Sequence, residues 1–170
     1  DNTDKVVLNI RECHRLKIEI MPPDINRSNY KFIAINESKI RYGIGAIKGM
    51  GKGIIEAIIE ERGKGEFSSL GDLCRRMVSH RLNKRLLEIM VKSGLLDCFV
   101  IAREVLLSQV EIALKIAEQG RLAVEQGQTD LFGLEINPGD EIDSKIDYEN
   151  LVPQNWTSLE ILKAEKEVLG

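Results

Sequence analysis

The sequence predicts a mainly α-helical fold with one small β-hairpin near residues 30–42. Two patterns carry that expectation. Apolar residues recur at helical spacing over six stretches, and they alternate over only a few short ones, between residues 17 and 42. Hydrophobic residues make up 43% of the 170 positions, enough for a packed core, so wholesale disorder is excluded.

Residues 4–16 open the chain as a helix, with Val7, Leu8, Ile10, Cys13 and Leu16 near helical spacing. Lys17–Ile20 alternates and reads as a short strand. Met21-Pro22-Pro23-Asp24 stops regular structure, because proline fixes φ and removes a donor. Tyr30–Ile35 and Lys39–Tyr42 read as two strands around an Asn36-Glu37-Ser38 turn. Five glycines then fall within Gly43–Gly53, the most unusual local composition in the chain. Ile54, Ile55, Ile58 and Ile59 predict a helix that ends at Arg62-Gly63-Lys64-Gly65. Ser69–Val78 reads as a helix, and Asn83 as the N-cap of another carrying Leu86, Leu87, Ile89, Met90 and Val91. Ser93-Gly94 ends that one. A longer helix is expected from about Ile101 to Glu125, and a last one from Trp156 to Leu169. Gly127–Asn150 loses periodicity, turns acidic and reads as a linker.

Charge divides the chain. Residues 1–38 balance, residues 39–92 carry twelve bases against six acids, and residues 93–170 carry six bases against fifteen acids. A net charge of −3 thus hides a basic middle and an acidic end, an asymmetry that implies different partners for the two parts. No stretch approaches the roughly 18 apolar residues of a membrane span, so no membrane partner is expected. Cys13, Cys74 and Cys98 form no C-x-x-C pair, which argues against a zinc site and a disulfide framework and points to a reducing cytoplasm. The chain begins with Asp1, without a basic and apolar leader, and reads as a segment of a longer protein.

Catalytic constellations fail on inspection. A P-loop needs glycine at 46 and Ser or Thr at 53, where Ala46 and Gly53 stand. A G-x-G-x-x-G match from Gly43 fails at Lys48, and one from Gly49 fails at Ile54. His14 and His80 are far apart, and no carboxylates are spaced on rigid elements as a metal would require. No catalytic residue and no metal ligand is therefore expected.

What remains is the glycine run. A helix start leaves backbone N–H groups unpaired and partly positive, and glycine lets a phosphate approach them. Ile47-Lys48-Gly49-Met50-Gly51, followed by Ala57, has the form hydrophobic-x-G-hydrophobic-G of a helix-hairpin-helix element, which grips nucleic-acid phosphate without reading bases. Lys48, Gly49, Gly51, Lys52 and Gly53 are the expected contacts. A second unit runs through Asn83–Lys92, Ser93-Gly94-Leu95-Leu96 and the helix from Ile101, with Arg81, Lys84, Arg85, Ser93 and Gly94 as contacts. A tight turn whose glycines only permit close packing is the structural alternative.

Met21-Pro22-Pro23-Asp24-Ile25-Asn26, Tyr42–Gly51, Phe67-Ser68-Ser69-Leu70, Asp72-Leu73-Cys74, Leu82–Arg85 and Lys92–Asp97 together resemble the bacterial replicative DNA polymerase III alpha subunit, in order along the chain. The resemblance implies distal fingers with the β-hairpin over residues 1–42 and a tandem helix-hairpin-helix region over 43–126. It also implies a linker with a clamp-binding peptide over 127–150, and a helix over 151–170 leading to a further domain. Gln128-Thr129-Asp130-Leu131-Phe132 matches that family's internal clamp-binding form Q-x-x-[LM]-F, so Gln128, Asp130, Leu131 and Phe132 are the expected clamp contacts. The implied partners are double-stranded DNA, the sliding clamp and other replicase subunits. The implied activity is DNA-directed DNA polymerisation by the intact protein, with magnesium held outside this segment, which itself needs no cofactor. One departure stands at Phe99-Val100-Ile101, where the family often carries a glycine and a polar residue. The competing readings are a DNA-repair or recombination module and a protein-interaction scaffold without DNA contact.

Overall fold

A computed structural model of the chain describes residues 2–125 and 156–170. Helices α1 (Asn2–Arg15), α2 (Lys52–Gly63), α3 (Leu70–Met77), α4 (Lys84–Lys92), α5 (Arg103–Glu125) and α6 (Ser158–Leu169) dominate, with strands β1 (Glu19–Met21), β2 (Ile33–Asn36) and β3 (Lys39–Arg41). The mainly α expectation stands.

Local chemistry sets three of the six helix starts. Ser69 accepts the Asp72 amide at 3.0 Å, and Asn83 accepts the Leu86 amide at 3.0 Å. Thr157 and Glu160 form a reciprocal capping box at α6. Each satisfies a donor that a helix end leaves open.

The sheet differs in two respects from its sequence reading. The expected hairpin is present, with Ile33 opposite Arg41 and Ala34 opposite Ile40, and a register shift before Asn36. The Ser38 amide donates to Asn36 Oδ1 at 2.9 Å across the turn. β1, however, joins it in parallel, with Glu19 opposite Lys39 and Met21 opposite Arg41, giving the order β1-β3-β2. β2 also starts at Ile33 rather than Tyr30. The carbonyls of Asn29 and Tyr30 accept the amides of Ile44 and Gly45 instead, at 2.8 and 2.9 Å. A Cβ on Gly43 would lie 2.6 Å from the Lys31–Phe32 backbone, so the glycine permits this crossing.

The core gathers Ile25, Ile44, Ile55, Ile58, Leu70, Leu73, Met77, Leu87, Met90, Leu95, Leu96 and Leu106, all fully buried. α5 lies across both α3 and α4. Two arginines tie the layers. Arg62 donates to the Ile25 carbonyl at 3.0 Å and fixes the loop after β1 under α2. Arg76 sits 4.3 Å over the Phe67 ring, donates to the Glu61 carbonyl and to Asp72, and joins α2 to α3.

α6 closes on this body. Val168 is buried, its carbonyl accepts the Lys48 amide at 2.8 Å, and Glu167 pairs with Lys92 at 2.9 Å. The Tyr42 hydroxyl donates to the Leu169 carbonyl at 3.2 Å, and burial pushes that phenol up to about 12, so it remains a donor. No described helix is long and apolar enough to cross a membrane.

Candidate nucleic-acid interface

The chain from Ile44 to Gly51 turns twice before α2 begins. The Ile47 amide donates to Ile44, and the Met50 amide to Ile47 at 3.2 Å, leaving Gly49 at φ +85°. A side chain there would be strained, and its Cβ would come 2.6 Å from Ile89 Cδ1. Gly49 therefore serves backbone shape and packing against α4. Gly51 and Gly53 differ: nothing lies within 4 Å of a Cβ at either, so packing does not require glycine there.

Their positions matter for another reason. Gly51 is the N-cap of α2, and no side chain caps that helix and no acid stands in its first turn. The amides of Gly51, Lys52, Gly53 and Ile54 find no acceptor among the described residues. The positive end of α2 is thus bare and open to solvent, unlike the side-chain-capped starts of α3, α4 and α6.

That bare end faces a cleft of about 570 Å³. Gly49, Gly51, Gly53 and Ile54 form one wall; His80, Arg81, Asn83, Arg85 and Leu86 form the other. Arg81 occupies a left-handed conformation, φ +61°, between the turn at Val78–His80 and α4. Neither Arg81 nor Arg85 has an acidic partner among the described residues, and both are exposed. A second depression of about 480 Å³ shares Gly49 and Arg85 with the first, and there Lys48, Arg85 and Lys92 meet Glu88 and Glu167. Lys48 and Lys52 are exposed, and Lys52 lies 3.6 Å from Glu56. The combination of unpaired amides, a helix N-terminus and free guanidinium groups suits a phosphate.

The sequence model of the helix-hairpin-helix motif matches residues 17–106, from β1 into the first turn of α5. The chain belongs to the helix-hairpin-helix family. It is also 43% identical over 171 aligned positions to DNA polymerase III subunit alpha of Escherichia coli (strain K12), an alignment covering 100% of this chain and 14% of that protein. The subunits of the same name from Vibrio cholerae and Pseudomonas aeruginosa are 39% and 38% identical, over 100% and 99% of this chain and 14% and 16% of theirs. The chain spans about a seventh of the length of these curated relatives.

Within the helix-hairpin-helix frame, the first hairpin brings Gly49, Gly51 and Gly53 to one cleft with Arg81 and Arg85, and Lys48 and Lys52 flank it. The remaining expected contacts lie elsewhere. Lys84 turns to α5 and hydrogen-bonds Glu111, which raises the lysine's pKa and lowers the carboxyl's. Ser93 is 1% exposed and donates its hydroxyl to the Met90 carbonyl at 3.0 Å. Gly94, at φ +78°, lies under Arg103: a Cβ would sit 2.4 Å from the guanidinium. Arg103 bonds Asp97 at 2.6 Å and Glu165 at 2.9 Å, so carboxylates guard this turn and would repel a phosphate. Ser93 and Gly94 thus take part in packing at the second hairpin. His80 and Asn83, which line the cleft, were missed; the only sequence signal is that they flank Arg81.

Gln128, Asp130, Leu131 and Phe132 lie outside the described residues. Among the described residues no group of three or more His, Cys, Asp or Glu side chains is arranged to hold a metal ion.

Proposed function

We propose that this chain is a duplex-holding, noncatalytic segment of a DNA-directed DNA polymerase that acts in chromosomal replication. The uncapped start of α2 opposite the unpaired Arg81 and Arg85 carries the reading. In this reading the amides of Gly51–Gly53 donate hydrogen bonds to one backbone phosphate, while Arg81, Arg85, Lys48 and Lys52 neutralise its neighbours. These contacts touch no base edge, so binding is independent of sequence, as a protein that travels along its template requires. Nucleotide addition, with its magnesium, belongs to parts of the polypeptide beyond these residues, and other replicase subunits bind there too.

The test is anisotropy of a fluorescent duplex titrated with the chain between 50 and 200 mM salt. Three or four phosphate contacts give a slope of about −3 in log K against log salt. A flat response, or no binding, refutes duplex holding and favours a protein scaffold.

The reading also includes a tether. Leu131 and Phe132 would fill an apolar pocket on the sliding clamp, with Gln128 and Asp130 at its rim. A tethered polymerase meets its template at high local concentration and adds many nucleotides per encounter. Pull-down of the clamp by a peptide spanning residues 127–133 tests this, with Leu131→Ala plus Phe132→Ala as the losing variant. DNA binding that survives while no clamp is captured favours a repair or recombination module.

A further inference from the structure

The depression that shares Gly49 and Arg85 with the cleft already holds an anion of the chain's own. Among the described residues its walls carry three cations, Lys48, Arg85 and Lys92, against two carboxylates, Glu88 and Glu167. Glu88 lies 3.9 Å from Lys84 on its own helix. Glu167 comes from α6, 75 residues beyond Lys92, and both its oxygens accept from Lys92 Nζ, at 3.0 and 2.9 Å. Helix chemistry does not account for a carboxylate at that place. Glu167 stands in the last turn of α6, where the carbonyl end disfavours negative charge. Lys92, in the last turn of α4, supplies the attraction. The neighbouring Val168 carbonyl accepts the Lys48 amide at 2.8 Å, so the end of α6 sits on the first hairpin itself. We propose that this depression is a second phosphate subsite for the same duplex, and that the Glu167 carboxylate occupies it until a phosphodiester displaces it from Lys92. This subsite rests on the phosphate-binding reading above and deepens it.

The arrangement permits the exchange. The two recesses meet at Gly49 and Arg85, and phosphates of one strand recur every ~3.4 Å of helix axis. A strand seated on the start of α2 therefore brings a neighbouring phosphate to Lys48 and Lys92. The Glu167 side chain is 61% exposed, and an ion pair with one end in solvent holds weakly. Its carboxylate can swing out without moving α6, which is kept in place by buried Val168, by the Tyr42–Leu169 hydrogen bond and by the Arg103–Glu165 pair. With Glu167 turned in, the recess carries one net positive charge; with it turned out, two. Glu167 thus loosens the grip on DNA by standing where a phosphate would.

Duplex affinity of the 170-residue chain and its variants is measured by anisotropy across the salt range used above, with a thermal denaturation of each. Glu167→Gln should bind about fivefold tighter at low salt. Its log–log salt slope should be steeper by up to about 0.9, because the native carboxylate takes up a cation as it is displaced. Lys92→Gln should bind about threefold more weakly than the native chain. The double variant should bind no tighter than the native chain. Glu37→Gln makes the same charge change on the β2–β3 turn and should stay within about twofold of native. Unchanged affinity in Glu167→Gln overturns the subsite. So does a gain matched by Glu37→Gln or kept in the double variant, which is then an effect of net charge. A gain from Lys92→Gln alone, which breaks the same pair, also overturns it and marks a mere loosening of α6. Should Glu167→Gln lose its fold, Lys92→Gln decides: weaker binding at an unchanged melting temperature supports the subsite, and equal or tighter binding overturns it. Absence of duplex binding in the native chain and in Glu167→Gln alike instead defeats the phosphate reading itself.

Discussion

The turn before α2 and the turn after α4 each hold a glycine at positive φ, Gly49 and Gly94, yet they are finished in opposite ways. At the first, Gly51 and Gly53 leave four amides bare, and the nearby Arg81 and Arg85 have no acid to hold them. At the second, Ser93 is sealed, Gly94 is roofed by Arg103, and Asp97 and Glu165 complete an ion network that ties α4, α5 and α6 together. One hairpin leaves its polar groups without partners among the described residues; the other spends them on the fold. A motif of the same outline therefore does not announce a binding role. What decides is whether its donors are already satisfied.

Four variants test this contrast. Arg81→Glu with Arg85→Glu should lower duplex affinity about 100-fold at low salt while barely moving the melting temperature, since neither side chain is paired within the fold; anisotropy and thermal denaturation read the two effects. Arg103→Ala should do the reverse. It leaves Asp97 and Glu165 facing each other over a covered turn and should cost about 2 kcal/mol of stability by denaturant titration, with duplex affinity of the folded protein unchanged. Gly51→Asp separates the two roles most sharply. A carboxylate N-cap suits α2, so stability should rise by a few tenths of a kcal/mol, but the same group occupies the place of the phosphate and should weaken binding about tenfold. The smallest effect is at Val100, a β-branched residue held at φ +59° and 93% exposed. Val100→Gly should stabilise the chain by about 0.5–1 kcal/mol, relief of strain exceeding the added entropy of the unfolded chain, without altering affinity.

Sequence reading succeeded where the causes are local. Ser69 and Asn83 announce α3 and α4 because each cap bonds an amide three residues on, and the turn at Asn36–Ser38 closes on itself. It failed where a distant segment intervenes. The parallel pairing of β1 with β3 is invisible in either strand alone, and β2 loses Tyr30 because the Gly43–Gly45 backbone claims its carbonyl. The same holds at the site. The glycine pattern marks the turn before α2, where Gly51 and Lys52 are exposed, whereas the burial of Ser93–Gly94 depends on Arg103 and on Glu165, which lies some seventy residues further along. Lys84 looked available until α5 supplied Glu111. Nothing local in the sequence joins His80 to Glu61, which lies 3.6 Å from it on another helix.

The missing cap on α2 has a kinetic side. Its first turn lacks the side-chain latch that Ser69, Asn83 and Thr157 give their helices, so its amide protons should exchange with solvent sooner than those at the other starts. Any anion seated there becomes the latch. Occupancy would then be written directly into the hydrogen-exchange pattern of residues 51–54, and the quieting of that single turn would mark engagement before any larger rearrangement of the protein.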